Sequence, residues 1–279
     1  MPTDRIHRAV SEDGTPIVGR VEGDGPPVVF VHGAAADGDS EWGELVPGVR
    51  DRFTCYLPSL RGRGQSGSHP DVSREARVRD VVAFADSIGE PVGLVGVSTG
   101  GMLALGAAAR TAGVAALVAL EPEVKEVQAA DARAREEEII AHAERAIVEG
   151  RPAEGLVPFF AWIANEHELA VLSGDEDAVE EFAAYLPTDV AELREGLAPD
   201  GWSPTDPSVL RQVRVPTLLL HGSRTALAWF SEGVRFAAEH IPDATVRALP
   251  GLGHLGHLVH PDRVADEITS FLAEALQPA

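Results

Sequence analysis

The chain has 279 residues, 44% hydrophobic and 24% charged, with Lys+Arg 23 against Asp+Glu 44 and a net charge of −21. That length admits one large or two modest domains, and the apolar share suffices for a real core, which excludes disordered, collagen-like and disulfide-scaffold classes. The acidic balance argues against nucleic acid and against anionic membrane surfaces, since both are bound through a Lys/Arg surplus.

The single cysteine, Cys55, cannot pair within the chain and sits in an apolar run, where a buried thiol is the expected state. Met1-Pro2-Thr3-Asp4-Arg5 opens no apolar segment of the signal-peptide kind. No run approaches the roughly 18 apolar residues of a membrane span. The expectation is a cytoplasmic protein with no membrane partner.

In chain order, Arg5–Val10 and Pro16–Val21 read as strands joined through the turn residues Asp13-Gly14. Pro27–Val31 is a near-continuous apolar run, as in a strand buried on both faces, and Phe53–Leu57 is another. Glu75–Ile88 has helical spacing and is stopped by Gly89 and Pro91. Val92–Val97 reads as a strand, Gly101–Ala112 as a helix of small residues and Val114–Leu120 as a strand. Such alternation means right-handed crossovers and a mostly parallel sheet covered by helices.

From Glu123 to Pro207 the character changes. Acidic helical stretches follow one another at Asp131–Glu149, Ala153–His167, Asp175–Tyr185 and Asp189–Leu197, and the proline-rich Pro199–Pro207 closes the segment. Alternation then resumes with a strand at Thr217–Leu220, a helix at Ala226–His240, a strand at Thr245–Leu249 and a final helix at Pro261–Ala275. The predicted architecture is an α/β core made of residues 1–122 and 208–279, with an all-helical lid inserted at 123–207.

Gly96-Val97-Ser98-Thr99-Gly100 lies between a predicted strand and a predicted helix. A G-x-S-x-G sequence in that setting forms a sharp turn that lifts the serine Oγ from the sheet edge, with small residues two before and two after because larger ones would collide. The helix behind Ser98 aims its N–H groups at the site, so the Thr99 N–H is a candidate oxyanion donor. His32-Gly33 ends the Pro27–Val31 strand and makes the Ala34 N–H the second candidate donor, with His32 expected to bond loop backbone.

A serine hydroxyl needs a base within hydrogen-bond reach, and His254 follows the last strand in Gly251-Leu252-Gly253-His254. His254, His257 and His260 recur every third residue, but no carboxylate or cysteine stands at ligand spacing beside them.

These motifs together resemble the α/β-hydrolase superfamily over essentially the whole chain. Arg61-Gly62-Arg63-Gly64-Gln65-Ser66 is similar to the family's D-x-R-G-x-G-x-S loop, with Ser59 where Asp is usual. The resemblance implies a serine hydrolase that needs neither cofactor nor metal. It also exposes a departure, because in many relatives the acid follows the penultimate strand, and here Thr225 stands at that position in His221-Gly222-Ser223-Arg224-Thr225. Glu121-Pro122, directly after the Val114–Leu120 strand, resembles branches that carry the acid there. Asp206 and Glu232 are the alternatives.

The expected reaction is hydrolysis of an ester, lactone or other activated acyl group through an acyl-enzyme on Ser98, with His254 as base and Glu121 as acid. A lid bearing Phe159, Phe160, Trp162, Ile163, Leu169 and Tyr185, with Trp229 near the Thr225 turn, suggests a small apolar or acyl substrate. The same fold also hosts lyases, cyclisation catalysts, cofactor-free oxygenases and ligand-binding proteins, and the missing Asp at Thr225 motivates that second reading.

Overall fold

The computed structural model describes residues 5–172, 174, 176–198 and 201–277. The segment Met1 to Asp4, the helix start at Asp175 and the linker's Pro199 lie outside the described residues.

The core is one eight-stranded sheet: β1 (Arg5–Val10), β2 (Pro16–Glu22), β3 (Pro27–Val31), β4 (Thr54–Ser59), β5 (Val92–Val97), β6 (Val114–Leu120), β7 (Thr217–Gly222) and β8 (Ala244–Leu249). Its spatial order is β1-β2-β4-β3-β5-β6-β7-β8. The first two strands form an antiparallel hairpin, and from β4 to β8 every pairing is parallel. The chain steps from β3 outward to β4, then back across β3 to β5. Crevices for ligands open at the carboxyl ends of strands at such a reversal.

Helices cover both faces. Before the insert they are α1 (Gly38–Trp42), α2 (Arg74–Ser87) and α3 (Ser98–Ala108). The insert between β6 and β7 carries α4 (Ala130–Val148), α5 (Pro152–Ile163), α6 (Glu166–Leu172), α7 (Glu176–Ala183), α8 (Leu186–Gly196) and the short α9 (Pro207–Leu210). The core ends with α10 (Ala228–His240), α11 (Gly256–Val259) and α12 (Pro261–Ala275). Among the described residues, no helix is long and apolar enough to cross a membrane.

The apolar run of β3 is fully buried because its alternate side chains enter two different cores. Val29 and Val31 pack with Phe84, Met102 and Leu103 under α2 and α3. Val28 and Phe30 pack with Trp42, Leu57 and Ile268 under α12. Each fully buried aliphatic or aromatic side chain of this kind contributes about 1.5–3 kcal/mol relative to exposure. A third apolar cluster joins Ile140, Leu156, Phe160 and Phe182 of the insert to Ala35, Phe230 and Leu255 of the core, so the insert is seated over the carboxyl edge of the sheet.

Among the boundaries that differ from the sequence reading, two have clear local reasons. The helix expected from Gly101 starts at Ser98, because the elbow serine is itself its first residue. The helix expected to run from Ala153 to His167 stops at Ile163, because Asn165 Oδ1 accepts the N–H groups of His167 (3.0 Å) and Glu168 (3.1 Å) and so starts a new helix.

Candidate active site

Ser98 sits where β5 turns into α3, with φ +53°. This left-handed conformation is costly for a residue with a Cβ and persists only where the surroundings impose it. Here they do. A Cβ on Gly96 would come 2.5 Å from Gly100 O, and one on Gly100 would come 2.2 Å from Val31 O. Both glycines are therefore required by close backbone approach, and between them the serine side chain is lifted from the sheet. Thr99, at the second position of α3, has one of the N–H groups that a helix start leaves without an intrahelical acceptor. Its hydroxyl donates to buried Glu123 (2.9 Å), and Glu123 N–H donates to Ser98 O (3.1 Å), which fixes the turn from behind.

The loop after β3 is set by His32. Its Nε2 accepts the Leu60 N–H (3.0 Å) and its Nδ1 therefore carries the proton and donates to Gly33 O (2.8 Å). Burial holds the imidazole neutral, with its pKa pushed down to about 4. In a trans peptide the C=O and the following N–H point in opposite directions, so pinning Gly33 O aims the Ala34 N–H away from His32.

Opposite Ser98, His254 is buried, and its Nδ1 donates to Glu121 Oε2 (2.8 Å). Glu121 follows β6 directly and, like Ser98, has a positive φ, +42°. Its fully buried carboxylate also accepts the Gly222 N–H (2.8 Å) and the Thr225 hydroxyl (3.0 Å). Three donors suit an ionised carboxylate, which is acceptor-only. Thr225 thus stands beside the Glu121 carboxylate, and the turn after β7 supplies it with a hydrogen bond. With the proton on Nδ1, the His254 Nε2 lone pair is left for another donor. Phe230 lies flat on the imidazole, ring centroids 3.7 Å apart and planes 13° apart, and so fixes its orientation. Among the described residues neither alternative acid bonds His254: Asp206 caps α9 through Ser208, and Glu232 is exposed on α10.

Ser98 and His254 line one cleft together with Gly33 and Ala34. Its walls are apolar, from Phe159, Phe160, Ile163 and Phe182 of the insert and Leu255 and Leu258 of the core. Beyond Ala34 and Thr99 a second, charged pocket is lined by Arg74, Arg77, Glu123, Lys125, Asp189 and Glu192. Of the aromatic residues expected to meet substrate, Phe159 and Phe160 reach the cleft. Trp162 and Trp229 are placed elsewhere: they pack on one another, 6.2 Å between centroids, and Trp229 stacks behind Phe230 while its indole N–H donates to Val124 O (2.7 Å). An aromatic stripe marks an apolar face without saying which neighbour it meets. Tyr185 instead donates to Asp37 (2.7 Å).

The family model for alpha/beta hydrolases matches residues 28–267. The chain belongs to the alpha/beta hydrolase family. It is 25% identical over 284 residues to the 2-hydroxy-6-oxo-6-(2'-aminophenyl)hexa-2,4-dienoic acid hydrolase of Metapseudomonas resinovorans, covering 96% of this chain and 91% of that one. It is 29% identical over 255 residues to the pimeloyl-[acyl-carrier protein] methyl ester esterase of Xanthomonas campestris pv. campestris, covering 91% and 97%. Among solved structures, an alpha/beta hydrolase from Sphaerobacter thermophilus superposes with a TM-score of 0.73 at 27% identity, covering 95% of this chain and 100% of that one. Relatives named hydrolases and esterases support a hydrolase.

In this alpha/beta hydrolase the sequence reading missed a second buried histidine–carboxylate pair on the same cleft. His257 Nε2 meets Glu41 Oε1 (2.6 Å), and Glu41 Oε2 accepts the Gly33 N–H (2.6 Å). It also missed the ion pairs that tie Arg63 to Asp189 and Glu192 of α8. No short-range signal marks either group, because the partners are far apart in the chain. Cys55 is buried, which pushes its thiol up to about 12.

Proposed function

We propose that the protein is a serine hydrolase acting on an ester or another activated acyl group. Ser98 Oγ attacks the substrate carbonyl carbon while His254 Nε2 takes its proton, and the carbonyl oxygen becomes an oxyanion held by the Ala34 and Thr99 N–H groups. His254 then protonates the leaving group as the acyl–leaving-group bond breaks. Water, deprotonated by the same nitrogen, attacks the acyl-enzyme and releases the acid and Ser98. Glu121 keeps the imidazole in the Nδ1–H tautomer and stabilises the imidazolium. The helical insert serves as a lid whose phenylalanines select an apolar group on the substrate.

The observation that carries this reading is the Glu121–His254 hydrogen bond of 2.8 Å beside an elbow serine held at φ +53°. A lost Asp at Thr225 favoured a non-hydrolytic role only while the imidazole had no acid partner. The test is rapid mixing with p-nitrophenyl acetate followed by intact-mass and peptide analysis. An acetyl group on Ser98, turning over in the wild type and absent in Ser98→Ala, is expected. Absence of both adduct and hydrolysis in the folded wild type would overturn the reading.

A further inference from the structure

We propose that Asp189, on the helical insert, is a positioning residue that holds the oxyanion donor Ala34 in place. The inference rests on the serine-hydrolase reading and assigns the insert a part in the chemistry besides covering the cleft.

Three consecutive N–H groups follow His32. The Gly33 N–H donates to Glu41 Oε2 (2.6 Å), and the Ala35 N–H donates to Asp189 Oδ1 (2.9 Å). The Ala34 N–H between them has no hydrogen-bond partner among the described residues. The free donor is therefore bracketed by two carboxylates, one from α1 of the core and one from α8 of the insert, 154 residues away in the chain. Ala35 has φ +61°, a conformation that an alanine does not keep without restraint. Its N–H bond to Asp189 is that restraint. Since Ala34 and Ala35 share a peptide plane, releasing Ala35 rotates the plane next to the oxyanion donor.

Asp189 is itself held by the core. Arg63, after β4, pairs with Asp189 and with Glu192 (2.7 Å), and Arg77 of α2 also reaches Glu192 (3.1 Å). Asp189 Oδ1 is thus shared by Arg63 and the Ala35 N–H, whereas Oδ2 is buried without a partner. Burial, with the nearby Glu192 charge, pushes this carboxyl up to about 6 against the pull of Arg63. A carboxylate kept under such conditions, its one bonded oxygen turned to the oxyanion loop, is fitted to orienting that loop. The oxyanion site is then complete only with α8 seated on the core.

The experiment compares wild type with Asp189→Ala, Asp189→Leu, Asp189→Asn and Glu192→Gln, each shown folded by thermal melts. Turnover is measured on p-nitrophenyl butyrate and on the matching thionoester, whose sulfur is a poorer acceptor, together with the rate of fluorophosphonate labelling. Asp189→Ala and Asp189→Leu should lower kcat roughly 10- to 100-fold with KM within about twofold, and narrow the preference for oxoester over thionoester. Asp189→Asn keeps an Oδ1 acceptor and should recover most of kcat and the preference. Glu192→Gln loosens the insert without touching Ala35 and should leave the preference unchanged. An unchanged kcat and preference in both Asp189→Ala and Asp189→Leu would overturn the positioning role. So would a preference unmoved while all four variants lose kcat alike, as an anchoring role would give. A wild type that fluorophosphonate does not label would instead remove the serine-hydrolase reading, and the positioning role with it.

Discussion

Two adjacent parallel strands end in the same way. After β5, Ser98 takes φ +53°, and after β6, Glu121 takes φ +42°, so each strand presents one side chain at the carboxyl edge of the sheet. The two tips differ in what imposes the turn. Around Ser98 the constraint is steric, since a Cβ on Gly96 would strike Gly100 O and one on Gly100 would strike Val31 O. Around Glu121 the constraint is polar and distant: its N–H donates to Leu220 O (2.8 Å), and its carboxylate gathers Gly222, Thr225 and His254 from later in the chain. A steric turn leaves a pentapeptide signature, whereas a turn held by tertiary hydrogen bonds leaves one glutamate.

The largest expected effect breaks the polar tip alone. Glu121→Gln keeps the size and removes the charge that holds the tautomer, so kcat should fall by about 10³- to 10⁴-fold with the fold intact, as followed by ester turnover and a thermal melt. Moving the carboxylate gives a second, smaller effect: Thr225→Asp added to Glu121→Gln places a carboxylate on the turn that already touches position 121, and should recover about tenfold of the loss. Thr225→Val alone removes one of three donors to Glu121, and a loss of about three- to tenfold in kcat is expected, because the Gly222 and His254 bonds remain.

The smallest effect concerns the loop facing both tips. His32 titrates at about 4 in the fold against 6.5 unfolded, so the unfolded chain binds more protons between those values. Its contribution to stability is complete above 6.5 and is lost as pH falls toward 4, amounting to about 2 kcal/mol by pH 5. His32→Asn retains a donor for Gly33 O but does not titrate. Melts from about pH 7.5 to about pH 5 should therefore show a shallower loss of stability in His32→Asn than in wild type, and equal slopes would count against a neutral, buried His32.

The strand–helix alternation and the elbow were legible because they follow from periodicity and from glycine sterics. Glu121 became legible through a gap, since Thr225 left the expected acid position empty and one carboxylate followed a neighbouring core strand. An apolar helical stripe points Trp162 to the pocket and nearness to the Thr225 turn points Trp229 there, yet the packing turns the two onto each other, with Trp229 behind Phe230 and His254. Nothing in the sequence pairs Glu41 with His257 or Arg63 with Asp189, because each acquires its partner only when α1, α8 and α11 dock around the loop after β3. A charged residue on a helix reads as a solvated face until the opposing surface is known.

The central claim is that Glu121 acts through His254 to activate Ser98. Its most direct test is the second-order rate of fluorophosphonate labelling, by intact mass, of the wild type, Ser98→Ala, Glu121→Gln and Asp206→Asn. Fast single-site labelling of wild type and Asp206→Asn is expected, none in Ser98→Ala, and labelling slowed by about two or more orders of magnitude in Glu121→Gln, on the order of the effect of removing a triad acid. Equal labelling rates in Glu121→Gln and wild type would contradict the claim.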